Sequence, residues 1–128
     1  MQILIVDDSQ TVRFILNQML HEMGYTEIVC TSDYDSAVNQ LKKDTPDLIL
    51  SDMNMPGKNG LDLLKFVRST SEYTSVPFII LSTFYEKETM FQSIQAGAQY
   101  YLKKPVVKTE LKEKLTALSQ SHGIQAPV

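Results

Sequence analysis

The sequence predicts an α/β domain built on a parallel sheet, from three observations. Short apolar runs of strand length alternate five times with segments of helical period, no long gap interrupts the alternation, and acidic residues stand just past two of the runs. Repeated βα units give a parallel sheet, because each helix carries the chain back to the same edge. The 128 residues, 43% hydrophobic and 21% charged, suffice for one domain with its own core and leave no room for a second.

The first run is Ile3 to Val6, after which Val12, Leu16, Met19, Leu20 and Met23 recur at helical spacing. Ser9 suits the N-cap of that helix and Gly24 its stop. Strand two, Glu27 to Thr31, leads to a helix carrying Ala37, Val38 and Leu41, with Asp33 placed to cap it. Pro46 breaks the chain before strand three, Leu48 to Leu50. The stretch from Met53 to Gly60 is too rich in turn residues to continue a strand or helix. A third helix follows on Leu61, Leu64 and Val67, and a polar segment from Ser69 to Ser75 leads to Pro77, which fits only the first residue of a strand or an edge. Helix four is expected to bury Met90, Phe91 and Ile94 and to stop at Gly97. Strand five ends near Lys104, helix five aligns Val107, Leu111, Leu115 and Leu118, and the chain from Gln120 reads as a frayed tail.

No stretch approaches the roughly 20 apolar residues of a membrane span, and the chain runs from Met1 into a strand without a basic, signal-like region, so a cytoplasmic location is expected. Cys30 is the single cysteine. No internal disulfide can form, and its place in an apolar run suggests a buried small hydrophobe, a reactive thiol being the alternative. A net charge of −3 argues against nucleic acid as a partner. The C-terminal quarter is locally basic, with Lys103, Lys104, Lys108, Lys112 and Lys114 against Glu110 and Glu113. That is either a solvated helix face or a surface that steers an acidic protein partner.

Asp7 and Asp8 follow strand one, Asp52 follows strand three, and Lys104 follows strand five. If those strands are parallel neighbours, all four side chains converge at the carboxyl edge, where open α/β sheets bind ligands. Three crowded carboxylates repel, and such a group is tolerated when a cation neutralises it or when some of its members stay protonated. A bound cation is the favoured reading. Asp7 alone could instead cap helix one, and Tyr101 could be an ordinary aromatic at a strand end. Met53, Met55 and Met90 read as packing residues. His21 and His122 have no ligand-like spacing, so zinc is not expected.

In order along the chain stand Asp7-Asp8-Ser9, Ser51-Asp52-Met53-Asn54-Met55-Pro56 with Gly60, Ser82-Thr83, Ala96-Gly97-Ala98 and Lys104-Pro105. This series resembles the receiver domains of two-component response regulators, in particular the single-domain chemotaxis type. The resemblance implies a flavodoxin-like, doubly wound, five-stranded parallel sheet in the order 2-1-3-4-5 flanked by five helices. Residues 1–120 would form the receiver and 121–128 a short tail. It implies that Asp52 accepts a phosphoryl group from a sensor histidine kinase, in a protein that catalyses its own phosphorylation and dephosphorylation but is no enzyme for other substrates. Asp8, Asp52 and the backbone carbonyl of Asn54 would ligate Mg²⁺, with Asp7 holding a water of the ion and Mn²⁺ able to substitute.

By the same resemblance Lys104 pairs with Asp52 or the phosphoryl oxygen, the Lys104–Pro105 bond is cis, and the Ser82 hydroxyl turns toward the phosphoryl group. Tyr101 would then rotate from exposed to buried and switch the face of helix four, strand five and helix five, where a protein target docks. The lysine-rich region is expected on that face, and a monomer, without membrane or nucleic acid partners, in chemotaxis or motility. Tyr34 departs from the family pattern, standing in the loop after strand two where a turn glycine is common. Ser82 replaces the commoner threonine, and Thr83 is bulkier than its usual counterpart. Asn54 and Phe84 occupy positions that tune hydrolysis, and an apolar Phe84 predicts slow self-dephosphorylation. A haloacid dehalogenase-type phosphatase would need Asp-x-Asp, a flavodoxin a Ser/Thr/Gly phosphate loop, and a dimerising transcription-factor receiver an acidic pair at Gln99 and Tyr100, with a DNA-binding segment after helix five.

Overall fold

Five parallel strands form one sheet in the order β2-β1-β3-β4-β5. They are β1 (Gln2–Val6), β2 (Glu27–Thr31), β3 (Leu48–Asp52), β4 (Phe78–Ser82) and β5 (Tyr100–Lys103). The helices are α1 (Gln10–Glu22), α2 (Tyr34–Lys43), α3 (Gly60–Ser69), α4 (Lys87–Gln95) and α5 (Lys108–His122). The computed structural model describes residues 1–83 and 86–122. The fold class is the one expected. Among the described residues no helix is long and apolar enough to cross a membrane.

Alternating strand residues feed two core layers, one on each face of the sheet. Leu4, Val6, Ile49, Phe78 and Ile80 pack with Ala37, Leu41, Leu63, Leu64 and Val67 of α2 and α3. Ile3, Ile5, Leu48, Leu50, Ile79 and Leu81 pack with Leu16 and Leu20 of α1 and with Leu111, Leu115 and Leu118 of α5. The three central strands are covered on both faces, which is why they read as continuous apolar runs. Side chains fix the helix starts: Ser9 accepts from the Val12 amide, and Asp33 with Ser36 and Asn59 with Asp62 form reciprocal capping boxes.

Several expectations are corrected. Cys30 is exposed, because β2 is an edge strand on which no residue is fully buried. Phe91 and Ile94 are exposed, at 61% and 46%. α4 lies on the sheet through Ser93, whose hydroxyl donates to the Thr89 carbonyl at 2.8 Å, so the small residue takes the core position and the larger ones turn outward. Val107 is exposed ahead of α5, where its carbonyl accepts from the Leu111 amide. Tyr34 belongs to α2, not to the preceding loop, and residues 120–122 are still helical. Lys108 pairs with Glu22 of α1 at 3.0 Å, so it faces away from α4. Phe84 and residues 123–128 of the tail lie outside the described residues.

Candidate functional site

The sheet builds the site by register. Val6 of β1 lies opposite Ser51 of β3, which sets Asp7 beside Asp52. Ser82 of β4 lies opposite Lys103 of β5, and the Lys104 amide donates to the Ser82 carbonyl at 2.8 Å, extending that ladder to the residue that reaches back across the edge. The Asp7 amide likewise donates to the Thr31 carbonyl, and the Met53 amide to the Leu81 carbonyl. The four residues predicted to converge therefore do so because each sits at a strand end or within two residues past one.

Lys104 Nζ lies 2.7 Å from Asp7 Oδ2 and 3.0 Å from Asp52 Oδ1, bridging two buried carboxylates. Asp7 Oδ1 accepts from the Ser9 amide at 2.9 Å, so Asp7 also braces the start of α1. Asp52 Oδ1 accepts from the Asn54 amide at 3.2 Å, which turns the chain sharply after β3. Asp8 is exposed, at the mouth. One oxygen from each of Asp7, Asp8 and Asp52 lies within 4.8 Å of the others, a spacing able to hold a metal ion. Burial pushes the Asp52 carboxyl up to about 6, helped by the Asp7 charge and opposed by hydrogen bonds from Lys104 and Asn54. Burial disfavours the Lys104 charge, but its bonds to Asp7 and Asp52 and their negative charges raise its pKa on balance.

Three carboxylates against one ammonium leave negative charge to neutralise, and the donors are all hard oxygens. That set suits Mg²⁺ or Mn²⁺ better than zinc. Lys104–Pro105 is cis. Ser82 is buried, and Tyr101 is buried too, at 7% exposure. A cavity of about 220 Å³ beside the acidic cluster is lined by Met53, Asn54, Ser82, Glu86, Thr89 and Tyr101.

The family model of the response regulator receiver domain matches residues 3–116. The chain belongs to the response regulator receiver family. This receiver is 37% identical over 115 residues to the chemotaxis protein CheY-3 of Vibrio cholerae, spanning 90% of this chain and 88% of that one. It is 34% identical to the chemotaxis protein CheY of Pseudomonas aeruginosa, covering 90% and 93%. A crystal structure of a putative response regulator from Chloroflexus aurantiacus superimposes with a TM-score of 0.86 at 31% identity, covering 91% and 95%. Vibrio cholerae CheY4 gives 0.84 at 32%, covering 91% and 96%. The receiver is thus a phosphoacceptor response regulator of two-component signalling, of CheY type, a signalling protein that works between a histidine kinase and a protein target.

Sequence reasoning missed Arg13 in this receiver's site, and it named Gly60 in the motif after Asp52 without a structural reason for it. Arg13 Nη1 donates to the Asp7 carbonyl at 2.6 Å, holding the acidic turn from one helical turn away; an arginine six residues past Asp7 was the available signal. Gly60 donates its amide to the Met53 carbonyl at 2.9 Å, and a side chain there would collide with the Asp52 carbonyl oxygen. Its glycine is required by close approach of the backbone to the C-terminal end of β3.

Proposed function

We propose that Asp52 receives a phosphoryl group from a phosphohistidine of a sensor histidine kinase, in a Mg²⁺-dependent reaction that this chain itself catalyses. The observation that carries the reading is the Lys104 ammonium bridging Asp7 and Asp52 within a cluster of three carboxylates. Asp8, Asp52 and the backbone carbonyl of Asn54 would hold Mg²⁺ directly and Asp7 through water, with Mn²⁺ able to serve in its place. When bound, the ion cancels charge on the attacking carboxylate and on the phosphoryl oxygens, which otherwise repel.

The chain's own residues do the rest. An Asp52 carboxylate oxygen attacks phosphorus in line, the phosphorus–nitrogen bond breaks, and the imidazole departs with the bonding pair, leaving an acyl phosphate. Oδ2 is the favoured attacker, since the Lys104 and Asn54 contacts both fall on Oδ1. Lys104 then transfers its hydrogen bond to a phosphoryl oxygen, and the Ser82 hydroxyl donates to another. That draws on the segment after β4, with Tyr101 packed beside it, and switches the face of α4, β5 and α5 for a protein target. Exposed Phe91 and Ile94 on α4 supply apolar surface for such a partner.

The relatives named for chemotaxis favour a role there or in motility. We assign a cytoplasmic monomer without nucleic acid or membrane partners. The test is intact mass after incubation with acetyl phosphate or phosphoramidate, with and without Mg²⁺, beside Asp52→Asn. One phosphoryl group, added only when both metal and Asp52 are present, is expected. Labelling of Asp52→Asn, or equal labelling in excess EDTA, would overturn the assignment.

A further inference from the structure

We propose that Tyr34 is a positioning residue for the loop that follows Asp52, acting through Lys58; this rests on the phosphoacceptor reading above. Tyr34 is the residue that departs from the family's usual turn glycine, and the structure gives that departure a use. It is the first residue of α2, whose start is fixed independently by the Asp33–Ser36 capping box. Its ring meets Phe66 of α3 edge-on, with centroids 6.2 Å apart and planes at 71°, and Phe66 in turn packs against buried Tyr73 at 6.1 Å. The ring is thus held from behind. Over it, 4.7 Å from the centroid, sits the Lys58 ammonium.

Lys58 belongs to the loop of residues 53–59, which carries Asn54 and its backbone carbonyl. The ends of that loop are anchored by the Met53 amide on Leu81, the Gly60 amide on Met53, and the Asn59–Asp62 capping box. Between these anchors Pro56, Gly57 and Lys58 are exposed. The cation–π contact ties this exposed span sideways to α2, a restraint that a glycine at position 34 cannot provide. A loop ordered beforehand loses less conformational freedom when an ion is bound, so the contact favours ion binding without touching the ion. The direct charge effect has the opposite sign, because a lysine near the site repels a cation.

The experiment is a double-mutant cycle on Tyr34→Ala and Lys58→Met with Tyr34→Phe as control, reading two quantities: the Mg²⁺ dissociation constant by calorimetry, and amide hydrogen exchange at Asn54 and Gly60 in metal-free protein. Tyr34→Ala is expected to weaken Mg²⁺ binding and speed exchange at both amides by about two- to five-fold, the size of an exposed cation–π contact. Tyr34→Phe should behave as wild type, and Tyr34→Ala should have no further effect once Lys58 is Met. An unchanged constant and unchanged exchange in Tyr34→Ala, or equal effects with and without Lys58, would overturn the proposal. Failure of the phosphoacceptor reading looks different: wild-type protein would then neither bind Mg²⁺ nor label, while the exchange measurement would still decide whether Tyr34 orders the loop.

Discussion

Replacing Asp52 by Asn is expected to stabilise the metal-free protein above pH 6, because the buried carboxylate is charged there at a cost. Asp52 titrates near 6 in the folded chain against an ordinary 3.8. The folded-state value is the higher one, so the folded state binds more protons between the two values, and stability is lost as pH rises through about 6. At 1.36 kcal/mol per pH unit, a rise from 3.8 to about 6 corresponds to roughly 3 kcal/mol. Water at the mouth of the site screens part of that, and Asn gives up the charge attraction to Lys104, which keeps its pairing with Asp7. A net gain of about 1–2 kcal/mol at pH 7.5 is expected.

Urea denaturation in EDTA, followed by far-ultraviolet circular dichroism at several pH values, reads this directly. With a slope of roughly 1–3 kcal/mol per molar, the midpoint of Asp52→Asn should lie about 0.5–1 M above wild type at pH 7.5 and converge with it near pH 4.5. Saturating Mg²⁺ should raise the wild-type midpoint and not that of the variant, closing or reversing the gap. A variant no more stable than wild type at pH 7.5, or a gain that does not shrink on acidification, would refute the reasoning and mean that Lys104 fully compensates the buried charge.

Two further substitutions test the frame that carries the site. Gly60→Ala should cost about 2 kcal/mol or more and reduce acetyl phosphate labelling of Asp52, since the added methyl meets the Asp52 carbonyl and, at 3.0 Å, the Met53 Cα; normal stability with normal labelling would contradict it. Arg68 donates to the carbonyls of Thr74, Val76 and Gly97 and to Gln99 Oε1, joining α3 to the strands that flank α4. Arg68→Ala should lower stability by about 2–4 kcal/mol, and Arg68→Lys should recover less than half, because an ammonium cannot span those acceptors; full recovery by Lys in a urea titration would show that charge alone matters.

What the sequence reveals about this chain follows from what each residue has to satisfy. Asp7, Asp8, Asp52 and Lys104 are legible because charged groups rarely terminate apolar strands without chemical cause, and a strand end is visible from its neighbours alone. The strands and the capped helices are legible because burial and capping leave local patterns. Cys30 is not: the run Ile28 to Cys30 reads the same at the centre or the edge of a sheet, and only the order β2-β1-β3-β4-β5 decides which. Gly60 acts through close approach to the Asp52 carbonyl and Arg13 through the backbone carbonyl of Asp7, and neither leaves a periodic trace.

Phe91 and Ile94 mark the sharper limit. Spaced with Met90 on a helical stripe, they satisfy every local criterion for a core face, yet Ser93 holds the core position and they stand exposed. A helix that must release one surface to a partner needs an apolar stripe just as a buried helix does, so periodicity reports that the stripe will be covered without saying by what. Burying the parts of these two residues that remain exposed, 61% and 46%, would stabilise the protein by roughly 2–3 kcal/mol, and leaving them in water forgoes that gain. In a signalling domain whose output depends on partner contact, forgone folding stability of this size is available instead as binding free energy on association. The expectation that Phe91 and Ile94 are buried and their proposed place in the output face thus have one physical origin.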